Sequence, residues 1–291
     1  MKEIIIQKND ANQRLDKFLL KTFDQLKPGM MHKAIRNKKI KVNRKRCTHN
    51  QFLQQGDVIL LFLPEDVLVE KDFSLPDVSD EIDIVYQDDN VLVVNKPAGL
   101  LSQSDTVGNQ DCLVYRIWAY LANNGQWDKD AYSFRPAIVQ RLDRNTSGLI
   151  MAAKNADTLR LLNEAIAQRK IHKYYRAKVV GHFDSLSFSL HQWMKKEGTK
   201  SIVSNQVFDG AKETKMNIKV IKEEKDFTIV EVELLTGRFH QIRAGLAYEG
   251  HPLVGDHKYG YTGKGKNYSL VAYKLDASEL DLDMKQKVFE I

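Results

Sequence analysis

Cysteine and long hydrophobic runs are largely missing from this sequence. Only Cys47 and Cys112 occur among the 291 residues, 65 positions apart. Two isolated cysteines exclude a disulfide scaffold and a thiolate zinc site, and they fit a reducing cytosol. The longest strongly apolar run is Val58–Leu63, far short of the roughly 20 residues that a membrane helix needs. The first ten residues turn polar after three isoleucines, so we expect a cytoplasmic protein without a signal peptide.

Positive charge is concentrated at one end of the chain. The whole sequence has a net charge of +6, but residues 1–63 carry +9 and the other 228 residues carry −3. Because a polyanion releases counterions when it binds a basic patch, nucleic acid is the favoured partner. A solvated basic surface and a patch for anionic lipid are the alternatives. The predicted nucleic-acid-binding cations all lie in one acid-free run, and they are Lys33, Arg36, Lys38, Lys39, Lys41, Arg44, Lys45 and Arg46.

The pattern of the chain predicts two folded units. Residues 1–63 combine short strands with helices at Arg14–Lys21 and from Pro28 to Asn37, which indicates a small α+β domain. Residues 64–81 are acidic, contain two prolines and lack periodicity, so they are predicted to be a linker. Residues 82–291 contain many alternating strands and few helices, which indicates an α+β domain with a mixed or antiparallel sheet.

One candidate site surrounds Asp143. This residue lies between Arg141 and Arg144 and is followed by a Thr-Ser-Gly turn. A carboxylate, guanidinium groups and hydroxyls on one loop suit covalent chemistry on a sugar or a base. Composition alone favours a structural role for Asp143, as a salt-bridged turn residue that caps a neighbouring helix.

A second candidate segment runs from Thr236 to Arg243. Gly237 ends a strand, and a helix through Tyr248 would follow. Arg238 and Arg243 would then lie near the end of the sheet, free to pair with a carboxylate or phosphate. An ordinary cationic helix surface is the alternative. The glycine-rich segment 260–267 lacks the Ser or Thr of a phosphate loop, and the histidines show no metal-ligand spacing.

Together these segments resemble the RluA-type family of large-subunit ribosomal RNA pseudouridine synthases. The segment Gln140–Leu149 (QRLDRNTSGL) matches the family's catalytic loop H-R-L-D-x-x-T-S-G-L in all but its first letter. The other matching segments occur in the family's order, and they are Asn95–Leu100, Lys173–Gly181, Thr236–Arg243 and Gly250–Gly260. Residues 12–63 are similar to the S-four-type RNA-binding domain, and the basic helix and linker together look more like the RluC branch than the RluD branch.

The resemblance implies isomerisation of uridine to pseudouridine, by base flipping in 23S ribosomal RNA, with no cofactor or metal. It assigns catalysis to Asp143, which must stay ionised in a dry pocket, and the pairing cation to Arg243. It further implies that Tyr175 stacks on the flipped uracil and that Arg141 fills the gap left in the RNA. We expect RNA as the partner of a monomeric protein.

Several positions depart from the family pattern. Gln140 replaces a histidine, Phe239 replaces a threonine, Ala244-Gly245 stand for Val-His, and Gln103-Ser104 stand for His-Pro. These changes bear on substrate choice. A transfer-RNA synthase of the same chemistry, a non-catalytic ribosomal RNA assembly factor, and a glycosidase or nucleoside hydrolase are the alternatives.

Overall fold

The computed structural model describes residues 1–71, 75–104, 111–127 and 133–291. Within these ranges the chain forms two β-sheets. The four-stranded sheet belongs to the N-terminal unit, and the eleven-stranded sheet belongs to the rest of the chain. This mixture of strands and helices confirms the predicted α+β class.

The N-terminal unit is a small antiparallel sheet covered by two helices. Its strands pair in the order β1-β4-β2-β3. The elements in chain order are β1 (Lys2–Ile5), a 3-10 helix (Lys8–Asp10), α1 (Leu15–Thr22), α2 (Pro28–Arg36), β2 (Ile40–Val42), β3 (Lys45–Arg46) and β4 (Val58–Leu61). Both predicted helices are present. Pro28 occupies the first turn of α2, where its missing N–H costs nothing.

The core of this unit extends beyond its last strand. Leu15, Phe18 and Leu19 of α1 are fully buried because their spacing puts them on one helix face. Val67 and Leu68 are buried in the same cluster, although they belong to the segment predicted to be a linker. Residues 64–71 therefore pack on the N-terminal unit, and we propose to place the end of that unit near residue 71.

The second unit is built on a large mixed sheet. Its strands pair in the order β11-β10-β12-β13-β9-β14-β8-β6-β5, with β7 on β8 and β15 on β14. They are β5 (Ile84–Gln87), β6 (Val91–Lys96), β7 (Ala137–Ile138), β8 (Ser147–Ala153), β9 (His172–Val180), β10 (Ser187–Glu197), β11 (Lys200–Ser204), β12 (Lys212–Glu224), β13 (Phe227–Leu234), β14 (Leu270–Asp276) and β15 (Val288–Glu290). Among the pairings of these described strands, only β8 with β14 is parallel, and one isolated parallel bridge links Leu101 to Cys112.

Helices cover the centre of this sheet on both faces. They are α3 (Leu113–Asn123), α4 (Ala156–Ala167) and α5 (Gln241–Tyr248), and a short 3-10 helix spans His257–Tyr259. Alternate residues of β6 point to opposite faces. Leu92 and Val94 join the core cluster that holds α3 and α5, whereas Val91 and Val93 join the cluster that holds α4.

The two units touch near the start of α4. The side chain of Gln13 donates to Ser133 Oγ at 2.8 Å, and the Ala156 amide donates to Asn9 Oδ1 at 3.2 Å.

Within the part of the chain that the structure describes, no helix is long and apolar enough to cross a bilayer.

Candidate active site

Asp143 lies on the loop between β7 and β8, at the centre of the large sheet. Its neighbour Leu142 is buried and is fixed by Ser102, whose hydroxyl donates to the Leu142 carbonyl at 2.7 Å and accepts from the Leu142 amide at 3.0 Å. The Thr146 amide closes the turn by donating to the Asp143 carbonyl at 3.1 Å. The Asp143 side chain is therefore carried on an anchored loop, and a quarter of it (25%) stays exposed.

Lys96 ties this loop to the end of β6. Its side chain is fully buried, and its Nζ donates to the carbonyls of Pro97 (2.8 Å), Leu100 (2.8 Å) and Arg144 (3.1 Å). Burial lowers the pKa of Lys96 to about 8, and the negative charge of Asp143 opposes that shift. Lys96 lies in the segment Asn95–Leu100 that supports the family resemblance, but the sequence did not predict that it anchors this loop.

Gly148 lets the strand after the loop approach its neighbour closely. It has a φ of +118°, and a Cβ there would lie 2.2 Å from the carbonyl oxygen of Ala272 on β14. Only glycine fits this pairing of β8 with β14. The loop that carries Asp143 is therefore fixed at both of its ends.

Arg243 joins two carboxylates from different parts of the chain. Its Nη1 donates to Asp143 Oδ2 at 3.0 Å, and its Nε and Nη2 donate to the two oxygens of Asp256 at 2.7 and 3.0 Å. The side chains of Arg243 and Asp256 are only 7% and 2% exposed. Burial lowers the pKa of Arg243, but hydrogen bonds to Asp256 and Asp143 outweigh it and raise that pKa. The Arg243 guanidinium therefore binds Asp143 through only one of its two carboxylate oxygens, Oδ2.

The guanidinium of Arg243 also meets two tyrosine rings. Its central carbon lies 4.1 Å from the ring centre of Tyr268 and 5.2 Å from that of Tyr259. The Tyr268 hydroxyl is 3.2 Å from Thr146 Oγ1, and burial raises the pKa of this phenol to about 12. Sequence reasoning missed Asp256, Tyr259 and Tyr268 as site residues, although two of them lie within segments quoted for the resemblance.

Tyr175 lies on β9, between β13 and β14. It is 6% exposed, and it faces Val232 on one neighbouring strand and Ala272 on the other. Burial raises the pKa of Tyr175, and the negative charge of Asp143 adds to the shift. The structure thus joins two of the three predicted residues, Asp143 and Arg243, by a hydrogen bond, and the charge of Asp143 reaches the third through its effect on the pKa of Tyr175.

The two oxygens of Asp143 differ in their surroundings. Oδ2 accepts from Arg243, whereas no hydrogen bond reaches Oδ1 from any residue that the structure describes. The flanking Arg141 is exposed, and the Arg144 Nε donates to the Gly99 carbonyl at 2.9 Å. The counterion of Asp143 is therefore the distant Arg243 and not a flanking arginine. The Asp143 carboxylate caps no helix in the described ranges.

Gln140 stands where the family loop begins with histidine. Both polar atoms of its side chain are buried, and neither has a hydrogen-bond partner among the described residues. A buried amide without partners is uncommon.

In the same ranges, no group of three or more His, Cys, Asp and Glu side chains is arranged to bind a metal ion.

The remaining predicted cations lie on the N-terminal unit, on α2, β2, β3 and the turns between them. Seven of the eight are exposed and Lys41 is half-buried. None of them forms an ion pair with an acidic side chain in the described portion of the chain. Lys41 Nζ lies 5.5 Å from the ring centre of Phe62, which is itself 41% exposed.

Arg238 differs from Arg243 although both belong to the same segment. Arg238 is exposed, and its Nε donates to the Glu213 carbonyl at 3.4 Å. Arg243 is buried with Ile242 and Leu246 of the same helix. Both arginines were expected to be free to pair with a carboxylate or phosphate; in the described structure Arg243 pairs with carboxylates and Arg238 pairs with none.

Comparison with known proteins identifies the family. The RNA pseudouridylate synthase family model matches residues 90–248. An uncharacterized RNA pseudouridine synthase of Mycoplasma capricolum is 34% identical over 292 residues, covering 96% of this chain and 93% of that protein. Ribosomal large subunit pseudouridine synthase C of Vibrio cholerae is 30% identical over 264 residues, covering 88% and 80%.

A solved human structure has the same fold. Human RNA pseudouridylate synthase domain containing 1 superposes with a TM-score of 0.57 at 20% sequence identity, covering 76% of this chain and 84% of the human one. The matched segment 90–248 contains Asp143, Tyr175 and Arg243. The chain therefore belongs to the RNA pseudouridylate synthase family.

Proposed function

We propose that this protein converts uridines of large-subunit ribosomal RNA to pseudouridine, with Asp143 as the catalytic carboxylate. The observation that carries the proposal is the fixed arrangement of that side chain. Arg243 holds Oδ2, and Oδ1 is left without a partner in the described structure. A fixed anion with one unpaired oxygen suits a reaction that needs a base or a nucleophile at a defined point.

The rearrangement is balanced without a redox partner. It breaks the bond between ribose C1′ and uracil N1, forms a bond between C1′ and C5, moves a proton off C5 and leaves one on N1. A carboxylate serves this reaction by attacking the sugar, by attacking the base, or by taking a proton from the sugar. Each route uses the same oxygen, Oδ1 of Asp143.

Tyr175 and Arg141 complete the proposed site. The phenol of Tyr175 carries its proton at neutral pH, and its raised pKa extends that range upward, so it is available to stack on uracil or to exchange a proton with its carbon. Arg141 is exposed next to the buried anchor Leu142. Its planar guanidinium suits the space that a flipped uridine leaves in the RNA stack.

The N-terminal cations support RNA as the substrate. Eight basic side chains without acidic partners among the described residues lie on a packed scaffold, and such groups bind phosphates with release of counterions. The aromatic ring of Phe62 beside Lys41 offers a surface for stacking on a base. The matching proteins from Vibrio species are named for the large ribosomal subunit.

The experiment uses RNA carrying tritium at uracil C5, because the proton at C5 is released only when the new bond forms. Purified protein is incubated with large-subunit ribosomal RNA, small-subunit ribosomal RNA and transfer RNA. The proposal predicts tritium release from the large-subunit RNA. Release from transfer RNA alone would favour the transfer-RNA alternative, free uracil would indicate a hydrolase, and RNA binding without release would indicate an assembly factor.

A further inference from the structure

His240 lies directly before α5 in an unusual backbone conformation. Its φ of 53° and ψ of 28° place it in the left-handed region, which residues with a Cβ rarely adopt. The buried Gln241 holds this turn, since its Oε1 accepts from Thr236 Oγ1 at 2.9 Å and from the Arg238 amide at 3.1 Å. The turn directs the His240 ring towards the active site, because its Nε2 lies 3.7 Å from Asp143 Oδ2.

The other ring nitrogen meets a tyrosine hydroxyl. His240 Nδ1 is 2.8 Å from the hydroxyl oxygen of Tyr259, and the Ser201 amide donates to the same oxygen at 2.8 Å. The Phe239 ring stacks on the imidazole at 3.8 Å, and the His240 side chain is only 8% exposed. The imidazole is therefore packed between groups that restrict its rotation.

These contacts favour one of the two neutral forms of the ring. The Tyr259 hydroxyl accepts from the Ser201 amide, and its own hydrogen has His240 Nδ1 as an acceptor at 2.8 Å. With that hydrogen directed at Nδ1, Nδ1 is an acceptor and the ring proton lies on Nε2. The opposite arrangement would turn the lone pair of Nε2 towards the Asp143 carboxylate, which is repulsive.

The imidazole is neutral at physiological pH. Burial lowers the pKa of His240 to about 4, and the positive charges of Arg243 and Lys258 act in the same direction. The negative charges of Asp143 and Asp256 act against them. A neutral ring with one directed N–H is a hydrogen-bond donor that adds no charge beside Arg243.

We propose that His240 is a positioning residue for Asp143, held as the Nε2–H tautomer by Tyr259 and the Ser201 amide. It directs its N–H at the oxygen that Arg243 already holds, so that two donors fix Oδ2 and Oδ1 faces the uridine. At 3.7 Å the contact is longer than a hydrogen bond, and we expect it to shorten when RNA fills the site. This inference rests on the proposed role of Asp143.

The experiment combines a spectroscopic and a kinetic measurement. Long-range nitrogen–proton NMR spectra of protein with labelled histidine report the tautomer of His240 in the absence of RNA. We expect the Nε2–H tautomer in the wild-type protein and a mixture of tautomers in Tyr259→Phe, which lacks the hydroxyl. Tyr261→Phe is the matched control, because among the described residues that hydroxyl donates only to the Lys264 carbonyl, in an exposed loop.

Single-turnover rates and RNA affinity are then measured for the same variants. We expect Tyr259→Phe to lower the rate about tenfold with RNA affinity unchanged, and Tyr261→Phe to leave both unchanged. His240→Gln, which keeps a donor, should retain more activity than His240→Leu. A wild-type Nδ1–H tautomer, or a wild-type rate in both Tyr259→Phe and His240→Leu, would overturn the inference. Full activity of Asp143→Asn would instead contradict the proposed function, while the tautomer measurement would stand.

Discussion

The catalytic unit and the N-terminal unit use charge in opposite ways. At the candidate active site, Arg243 and Asp256 are almost fully buried and are joined by two hydrogen bonds. On the N-terminal unit, the eight predicted RNA-binding cations, seven exposed and one half-buried, have no acidic partner among the described residues. The buried pair is held by hydrogen bonds, whereas the N-terminal cations make no ion pair with an acidic side chain in the described structure.

This difference fits two separate tasks. A charge that takes part in chemistry has to be held within a fraction of an ångström, which requires burial and several hydrogen bonds. Charges that bind a phosphate backbone gain most when they start solvated and release counterions. The predictions below change one region at a time and compare the effect with a matched change elsewhere.

The largest expected effect comes from Arg243→Met. This change leaves Asp143 and Asp256 side by side with no guanidinium between them, so we expect the free energy of unfolding to fall by about 4 kcal/mol. Arg238→Met, on the same segment but exposed, should change it by less than about 0.5 kcal/mol. Urea unfolding measures both. Equal reductions in the two variants would contradict the importance of burial.

The second prediction compares glycines in the two units. Gly148→Ala places a Cβ against the Ala272 carbonyl, so we expect the free energy of unfolding to fall by about 3 kcal/mol. Gly56→Ala, at a turn with a φ of +86° but open space around it, should cost only about 1 kcal/mol. Thermal unfolding of both variants checks this. If Gly148→Ala unfolded at the wild-type temperature, β8 and β14 would be able to separate at little cost.

The third prediction concerns acid. Because the pKa of His240 is about 4 in the folded protein and its ordinary value is 6.5, the unfolded chain binds more protons between these values. The stability that neutral His240 contributes is present above pH 6.5 and decreases as the pH falls towards 4. Relative to His240→Leu, the wild-type protein should therefore become less stable by about 3 kcal/mol over this range. Parallel stability curves for the two proteins would contradict it.

The fourth prediction gives the smallest change in stability. Replacing Lys39, Arg44, Lys45 and Arg46 together with glutamine should leave the free energy of unfolding within about 0.5 kcal/mol of wild type. RNA affinity should fall, and the slope of its logarithm against the logarithm of salt concentration should become shallower by about one for each phosphate that the protein no longer binds. Filter binding at several salt concentrations measures this. An unchanged slope would show that these four cations do not bind RNA phosphates.

Local patterns predicted the elements of the fold better than their arrangement. Apolar spacing located α1, and Pro28 marked the start of α2, because these signals arise within a few residues. The parallel pairing of β8 with β14 joins segments that lie far apart in the sequence and left no local trace. The burial of Val67 and Leu68 was missed for a similar reason, since two apolar residues in an acidic stretch show no period.

The candidate site also combines residues that the sequence identifies with contacts that only the folded chain creates. Asp143 and Arg243 were paired on the basis of family resemblance, while composition suggested that flanking arginines would serve. The role of Asp256 depends on a contact with Arg243 that only the folded chain creates. The fixed tautomer of His240 depends on a backbone amide of β11, which the sequence of His240 and its neighbours does not encode.

The central claim is that Asp143 carries out the chemistry and that Arg243 holds it in place. The most direct measurement is the single-turnover rate of pseudouridine formation by Asp143→Asn, together with its RNA affinity. The replacement keeps the shape of the side chain and removes its charge. We predict that the rate falls at least about a thousandfold while RNA affinity stays within about threefold of wild type. A rate close to that of the wild-type protein would contradict the account.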